Sequence, residues 1–203
     1  MRLRNMKFLY IHGANATSQS FNYIRHYIKG KDLLIEYNCA MAFSHNLENM
    51  IEQIKDEKDL FIIAHSMGGI YALHLANKFP EKFLGAVTIS TPYNGSSVAE
   101  IAKWVLPYYR LIHEIVPDSK TIRTTNALQI LHPWTQIVTT AGHVPWLIYP
   151  NDGIVSIASM TSRTDLESVE VNLNHYEIMV SPETVKILKD RVKAVSKPFM
   201  VFK

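Results

Sequence analysis

The sequence predicts an α/β fold in which a mostly parallel sheet carries helices on both faces. Short apolar runs, typical of strands buried in such a sheet, alternate with longer segments whose apolar residues recur at helical spacing. The chain has 203 residues, of which 47% are hydrophobic and 19% are charged. This is an ordinary globular composition, and the length suits one well-cored domain rather than two. We therefore expect a single domain over residues 1–203.

Each strand is predicted from an apolar run, because strands of a parallel sheet are buried on both faces. The helices are predicted from apolar residues three or four positions apart. The closing helix begins at Pro182, since proline is favoured at the first helical position, and Ser181 can serve as its N-cap. In chain order, the predicted elements are strand 7–11, helix 18–28, strand 33–38, helix 47–55, strand 60–64, helix 67–78, strands 84–90, 136–141 and 168–173, and helix 182–195.

One segment, at about residues 96–131, interrupts this alternation. Its apolar residues at 98, 101, 105, 109, 112 and 116 recur at helical spacing, and Pro107 and Pro117 must kink or divide the helix. The segment can be a helix pair that only completes the core, or a small helical cap over a functional site. We favour the cap, because the insertion leaves the sheet beside the strand end that should carry the chemistry.

Charge, cysteine content and hydropathy argue against several classes of protein. The net charge of +3 comes from 21 basic and 18 acidic residues spread along the chain, with no basic stripe typical of nucleic-acid binding. Cys39 is the single cysteine, so no intramolecular disulfide can form, and a buried thiol is expected there. The apolar run 8–11 is too short for a signal peptide, and no stretch reaches membrane-spanning length. We therefore expect a cytoplasmic protein.

The most informative motif is Ala-His-Ser-Met-Gly-Gly at 64–69, directly after the buried run 60–63. It matches a nucleophile elbow, the sharp strand-to-helix turn that exposes a serine hydroxyl at the end of a sheet. The turn requires small residues two positions before and after the serine, and Ala64 and Gly68 meet this requirement. Any glycine-rich turn could match so short a pattern, but a strand before it and a helix after it are the context that the motif demands. Ser66 is the predicted nucleophile.

A serine nucleophile needs a base that takes its proton and an acid that holds the base. In enzymes with this elbow the acid and then the base follow the serine along the chain. His175 is the last of nine histidines and stands between the last predicted strand and the closing helix. Asp152, in a turn-rich stretch before it, is favoured as the acid over Asp118 and Asp165, although a plain Asp-Gly turn would look the same.

Acyl transfer also requires N–H donors aimed at the developing oxyanion. The backbone of Met67, next after the nucleophile, should supply one. The loop after the first strand reads His12-Gly13-Ala14-Asn15, and we choose the Ala14 N–H as the second. The alternative is that this loop only turns the chain into the next helix.

Together these segments resemble α/β-hydrolases of the small bacterial lipase/esterase type. The matching pieces are HGA at 12–14, AHSMGG at 64–69, STPYNGSS at 90–97, NDGIVSIAS at 151–159 and NHYE at 174–177. The resemblance implies that Ser66, Asp152 and His175 form a catalytic triad. It also implies that the N–H groups of Ala14 and Met67 form the oxyanion hole. A short N-terminal sheet departs from the family and suggests a minimal core.

The predicted function is hydrolysis of carboxylic esters through an acyl-enzyme. Aromatic residues of the insertion, Trp104, Tyr108 and Tyr109, are expected to bind an apolar acyl group of a small-molecule substrate. No metal or cofactor is expected, since the histidines lack metal-ligand spacing. The alternatives are a thioesterase or acyltransferase with the same triad, a peptidase or amidase, and a non-catalytic binding module on the same fold.

Overall fold

The computed structural model describes residues 6–96, 99, 110–142 and 149–196. Its central feature is a six-stranded sheet in which all neighbouring strands run parallel. The strands are β1 (Lys7–Ile11), β2 (Lys31–Ile35), β3 (Leu60–His65), β4 (Phe83–Ile89), β5 (Trp134–Thr139) and β6 (Glu167–Val171). Their order across the sheet is β2-β1-β3-β4-β5-β6. Because every strand points the same way, the loops that follow the strands meet at one edge of the sheet.

Helices cover both faces of the sheet. They are α1 (Asn22–Tyr27), α2 (Phe43–Ile54), α3 (Met67–Lys78), α4 (Arg110–Glu114), α5 (Lys120–Ala127), α6 (Ile157–Met160) and α7 (Pro182–Ser196), with 3-10 turns at Ser18–Phe21, Pro80–Lys82 and Glu177–Val180. The helices α2 to α5 contribute to one apolar layer, and α1 and α7 contribute to the other. This arrangement confirms the predicted α/β fold. Among the described residues, we find no helix with the length and apolarity needed to cross a membrane.

The ends of some elements differ from the prediction because distant contacts set them. Helix α2 begins at Phe43 rather than at residue 47. The Glu114 carboxylate accepts a hydrogen bond from the Phe43 N–H, at 3.1 and 3.2 Å from its two oxygens, and so caps the helix from another segment. Strand β5 begins at the buried Trp134, whose Nε1–H donates to the Tyr93 hydroxyl at 2.9 Å. Helix α7 begins at Pro182, as predicted, and Ser181 Oγ accepts a hydrogen bond from the N–H of Glu183, the second residue of the helix, at 3.1 Å.

The described part of the insertion packs against the body of the fold. Leu111 in α4 and Ile122 in α5 are buried in the same apolar layer as α3. His74 Nε2 in α3 lies 3.0 Å from Thr125 Oγ1 in α5, which ties the two helices together. Residues 110–131 therefore help to complete the core. Trp104, Tyr108 and Tyr109 lie outside the described residues, and the cap stays a prediction.

Candidate active site

The turn after β3 has the strained geometry that a nucleophile elbow requires. Ser66 adopts φ 52° and ψ −125°, a region that residues other than glycine rarely occupy. Its N–H donates to the Ile89 carbonyl of β4 at 2.7 Å, which fixes the turn to the neighbouring strand. A Cβ atom at Gly68 would lie 2.2 Å from the Ile11 carbonyl oxygen, so only glycine fits there. Close packing against β1 and β4 thus presents Ser66 at the carboxyl edge of the sheet.

Asp152 and His175 form a buried hydrogen-bonded pair at the same edge. His175 Nδ1 lies 2.7 Å from Asp152 Oδ2, and the backbone N–H of His175 donates to the Asp152 carbonyl at 3.0 Å. The other carboxylate oxygen, Oδ1, accepts the N–H groups of Ile154 and Val155 at 3.0 and 2.7 Å. Burial by itself raises the pKa of Asp152, but its hydrogen bonds, first that with His175, outweigh burial and hold the pKa below its usual value. Asp152 is therefore a carboxylate, His175 Nδ1 carries a proton, and Nε2 is free to act as a base.

His65 fastens the loop that carries His175 to the elbow. The side chain is buried, its Nε2 lies 3.1 Å from the His175 carbonyl oxygen, and the two rings are 4.7 Å apart between centroids. Burial, and then the nearby His175 ring, lower the pKa of His65 to about 3. The neutral ring can thus donate Nε2–H to that carbonyl. The Ser66 hydroxyl takes part in none of the hydrogen bonds among the described residues, and such contacts often tighten only when substrate binds.

The loop after β1 lies against the elbow, where an oxyanion hole would have to form. A Cβ atom at Gly13 would lie 3.1 Å from both Ser66 Cβ and His65 Nδ1, so the loop passes close to the serine and a side chain at this position would crowd it. The buried ring of His12 stacks on Tyr37 with centroids 4.3 Å apart, and Tyr37 Oη donates to the His12 carbonyl at 2.9 Å. These contacts hold the backbone that leads directly to the Ala14 N–H.

Met67, the other expected oxyanion donor, is the first residue of α3. The first N–H groups of a helix lack partners within the helix and carry partial positive charge. The Met67 N–H is thus suited to stabilise a negative oxygen beside Ser66. Every predicted catalytic and oxyanion residue follows a strand at the carboxyl edge of the sheet. The suggested acyl-binding residues Trp104, Tyr108 and Tyr109 belong to the part of the chain that the structure does not describe.

Asp165, the alternative acid, lies elsewhere. It lies two residues before the start of β6, at the amino edge of the parallel sheet. Its carboxylate is bound by the Arg163 guanidinium at 2.6 and 3.0 Å, and this pairing, more than any other cause, lowers its pKa. Asp165 therefore forms a structural ion pair with Arg163.

The sequence indicates no role for two buried hydroxyl groups that lie behind Asp152. Ser90, just after β4, and Thr139, the last residue of β5, are fully buried and hydrogen bonded to each other and onward to Asp152. Ser90 belongs to the segment STPYNGSS at 90–97, which is part of the family resemblance, but the motif does not show what its side chain contacts. Across the residues that the structure describes, no cluster of three His, Cys, Asp or Glu side chains could hold a metal ion.

Comparisons with known proteins bear on the family and the fold of this chain. A family model described as "Serine aminopeptidase, S33" matches residues 39–148. Triacylglycerol lipase 2 of Saccharomyces cerevisiae is 28% identical over 156 residues, which cover 59% of this chain and 47% of that lipase, so the chain spans about half the length of this relative.

Solved structures show the same fold at low sequence identity. The lipase BlEst2 of Bacillus licheniformis superposes with a TM-score of 0.64 at 12% identity, covering 92% of this chain and 91% of that one. The haloalkane dehalogenase DpaA of Paraglaciecola agarilytica NO2 superposes with a TM-score of 0.70 at 12% identity, covering 98% and 86%. These neighbours confirm the α/β-hydrolase fold that the sequence resemblance predicts. With the family match over more than half of its length, the chain belongs to the serine aminopeptidase S33 family of α/β-hydrolases.

Proposed function

We propose that this protein is a serine hydrolase that cleaves carboxylic esters through an acyl-enzyme on Ser66. The observation that carries the proposal is the strained Ser66 turn beside the buried Asp152–His175 pair. A backbone in that conformation is costly, and such strain is typical of functional sites. A non-catalytic binding module would have no need of an ionised carboxylate that orients a histidine at the end of a strained serine turn.

The proposed reaction begins with attack of Ser66 Oγ on the ester carbonyl carbon, while His175 Nε2 takes the hydroxyl proton. The N–H groups of Ala14 and Met67 bind the oxygen that becomes negative. Asp152 holds Nδ1–H and stabilises the imidazolium without taking its proton. The imidazolium then protonates the leaving alkoxide. In the second half, His175 removes a proton from water as the water oxygen attacks the acyl carbon. The imidazolium then returns that proton to Ser66 Oγ as the bond between Oγ and the acyl carbon breaks, which releases the carboxylic acid and restores both residues.

An apolar acyl group is the proposed specificity. The curated relative is named a triacylglycerol lipase, although the chain spans only 47% of it. Beside the base, the Tyr176 ring stands edge-on to the His175 ring at 5.4 Å and is 68% exposed, so it offers apolar surface at the site. Trp104, Tyr108 and Tyr109 are proposed to extend this surface.

The second candidate is hydrolysis of amides or peptides, which the family description, serine aminopeptidase, favours. The same nucleophile, base and oxyanion donors would serve, but an aminopeptidase must also bind a free α-ammonium group. Matched substrates separate the two activities. We expect p-nitrophenyl esters of butyric to dodecanoic acid to be turned over, with aminoacyl p-nitroanilides far slower. A preference for the anilides would replace the ester proposal, and faster turnover of acyl thioesters would indicate a thioesterase.

The nucleophile is tested by covalent labelling with a fluorophosphonate probe. Wild type should be labelled and Ser66→Ala should not, with an unchanged circular dichroism spectrum. Ser44→Ala is the matched control, since Ser44 is an exposed residue in the first turn of α2 and should label like wild type. Equal labelling of Ser66→Ala and wild type would refute the assignment.

A further inference from the structure

We infer that Thr139, held in turn by Ser90, is a positioning residue that fixes the Asp152 carboxylate for the base His175. The inference rests on the proposed triad and adds to it two hydroxyl groups on neighbouring strands. Neither hydroxyl touches the reacting atoms, so both would act only through Asp152.

The geometry is a continuous chain of short contacts. Ser90 Oγ lies 2.8 Å from Thr139 Oγ1, and Thr139 Oγ1 lies 2.5 Å from Asp152 Oδ2. The same oxygen, Oδ2, lies 2.7 Å from His175 Nδ1. Ser90, Thr139 and Asp152 are fully buried, so water does not compete for these contacts.

The direction of each hydrogen bond follows from the carboxylate at the end of the chain. An ionised carboxylate only accepts, so the Thr139 hydroxyl must donate to Asp152. Because the single hydroxyl proton of Thr139 is donated to Asp152, Thr139 Oγ1 can only accept a hydrogen bond from the Ser90 hydroxyl. The other neighbour of Thr139 Oγ1 is Met160 Sδ at 3.6 Å, a thioether and a much weaker acceptor than a carboxylate. Both hydroxyl dipoles therefore point toward the acid.

This chain completes the coordination of the carboxylate. Oδ1 accepts the N–H groups of Ile154 and Val155, and Oδ2 accepts Thr139 and His175. With two donors on each oxygen, the plane of the carboxyl group is fixed, and so is the direction in which it holds the imidazole. Without the Thr139 hydroxyl, Oδ2 would keep a single donor, which is the histidine that it must orient.

The backbone of Ser90 is strained, and such strain is typical of functional positions. Its φ of 52° lies in the left-handed region, and its N–H donates to the Ile137 carbonyl of β5 at 2.9 Å. The preceding carbonyl, that of Ile89, accepts the Ser66 N–H at 2.7 Å. Three adjacent strands thus connect the nucleophile turn with the acid through hydrogen bonds.

The test compares two substitutions at one position. Thr139→Val keeps the shape of the side chain and removes the hydroxyl, whereas Thr139→Ser keeps the hydroxyl and removes a methyl group. On p-nitrophenyl butyrate we expect kcat of Thr139→Val to fall about 10-fold or more, with KM nearly unchanged, because a hydrogen bond to a charged group is lost. Thr139→Ser should stay near wild type. Thr140→Val is the control, since Thr140 Oγ1 contacts the Val171 carbonyl and not the acid.

Two readouts separate positioning from packing. With the Thr139 donor gone, the negative charge on Asp152 pairs more strongly with imidazolium, so the acid limb of the kcat/KM profile should move to higher pH. In an Asp152→Asn background, Thr139→Val should cause no further loss of kcat. Ser90→Ala should shift the acid limb in the same direction and provides the test if Thr139→Val does not fold.

Three results would overturn the inference: equal losses in Thr139→Ser and Thr139→Val, an acid limb that does not move, or a full further loss in the Asp152→Asn background. Each leaves the proposed function standing as long as labelling depends on Ser66. Loss of that dependence would instead refute the proposed function.

Discussion

Replacing Asp152 by asparagine should lower kcat severely, through the tautomer of His175 rather than through the fold. Asparagine has the same shape, but one of its terminal groups accepts hydrogen bonds and the other only donates. Its orientation is dictated by the N–H groups of Ile154 and Val155, which both point at the Oδ1 position. The amide oxygen must take that position, since an NH₂ group there would face two donors. The NH₂ group is then directed at Thr139 and His175.

The consequence at the base is the wrong tautomer. Facing a donor, His175 Nδ1 must accept, so the proton of the neutral ring moves to Nε2, the nitrogen that has to take the proton of Ser66. The loss of kcat should be about 10⁴-fold, the value known for the corresponding change in a serine protease. This corresponds to about 5 kcal/mol of activation free energy. The Thr139 hydroxyl can turn to accept from the amide, so the asparagine remains hydrogen bonded and the fold should persist.

The assay is hydrolysis of p-nitrophenyl butyrate, with circular dichroism and thermal unfolding to verify the fold. Asp165→Asn is the matched control. It removes a carboxylate that is bound to Arg163 at the opposite edge of the sheet, so it should lower stability without changing kcat by more than about twofold. An Asp152→Asn variant that is folded and retains most of its activity would refute the tautomer argument. A severe loss of activity in Asp165→Asn would move the acid to the loop before β6.

Two further predictions concern stability and the elbow. Burial lowers the pKa of His65 to about 3 and that of His74 to about 4, whereas both should have a pKa of about 6.5 in the unfolded chain. Below pH 6.5 the unfolded chain therefore binds more protons than the folded protein. The free energy of unfolding should therefore rise from pH 4 to pH 6.5 in urea titrations, and an unchanged slope in His65→Gln would contradict this account of His65. Gly68→Ala should unfold at a markedly lower temperature and lose fluorophosphonate labelling, because its Cβ would lie 2.2 Å from the Ile11 carbonyl oxygen. A stable, fully labelled variant would show that the turn tolerates a side chain.

The parts of the fold that the sequence predicts best are those whose pattern is local. Strand β3 is apolar along almost its whole length, and the helix after the elbow begins at Met67 and ends at Lys78 as predicted. Helix α5 lies within the helical insertion predicted at about 96–131, but the sequence does not predict its bounds, because KTIRTTNA is polar and buries few side chains. It begins where Ser119 Oγ accepts the Ile122 N–H at 3.2 Å and donates to the Glu114 carbonyl. This cap can be recognised only in the three-dimensional structure, because it depends on where the Glu114 carbonyl lies.

The residues of the candidate site also fall into those with a local sequence pattern and those that only the fold brings together. Ser66, Asp152 and His175 were proposed from motifs and chain order, both of which can be read along the sequence. Thr139 could not be found so, because it becomes visible only when β4 and β5 lie side by side and bring Ser90 to within 2.8 Å of it. A threonine at the end of an apolar strand carries no local signal of a role beyond β-propensity.

The order of the strands also explains why His65 is needed. Neighbouring strands are about 4.8 Å apart, so β6, which precedes the proposed base His175, lies about 14 Å from β3, which precedes the proposed nucleophile Ser66. The loop after β6 must bring His175 back across two strands. Asp152 holds His175 there through two hydrogen bonds, one to the His175 ring and one to the His175 backbone N–H. His65, the last residue of β3, meets the loop at its far end by donating to the His175 carbonyl. Asp152 therefore fixes which way the proposed base His175 faces, and His65 fixes how far across the sheet His175 reaches.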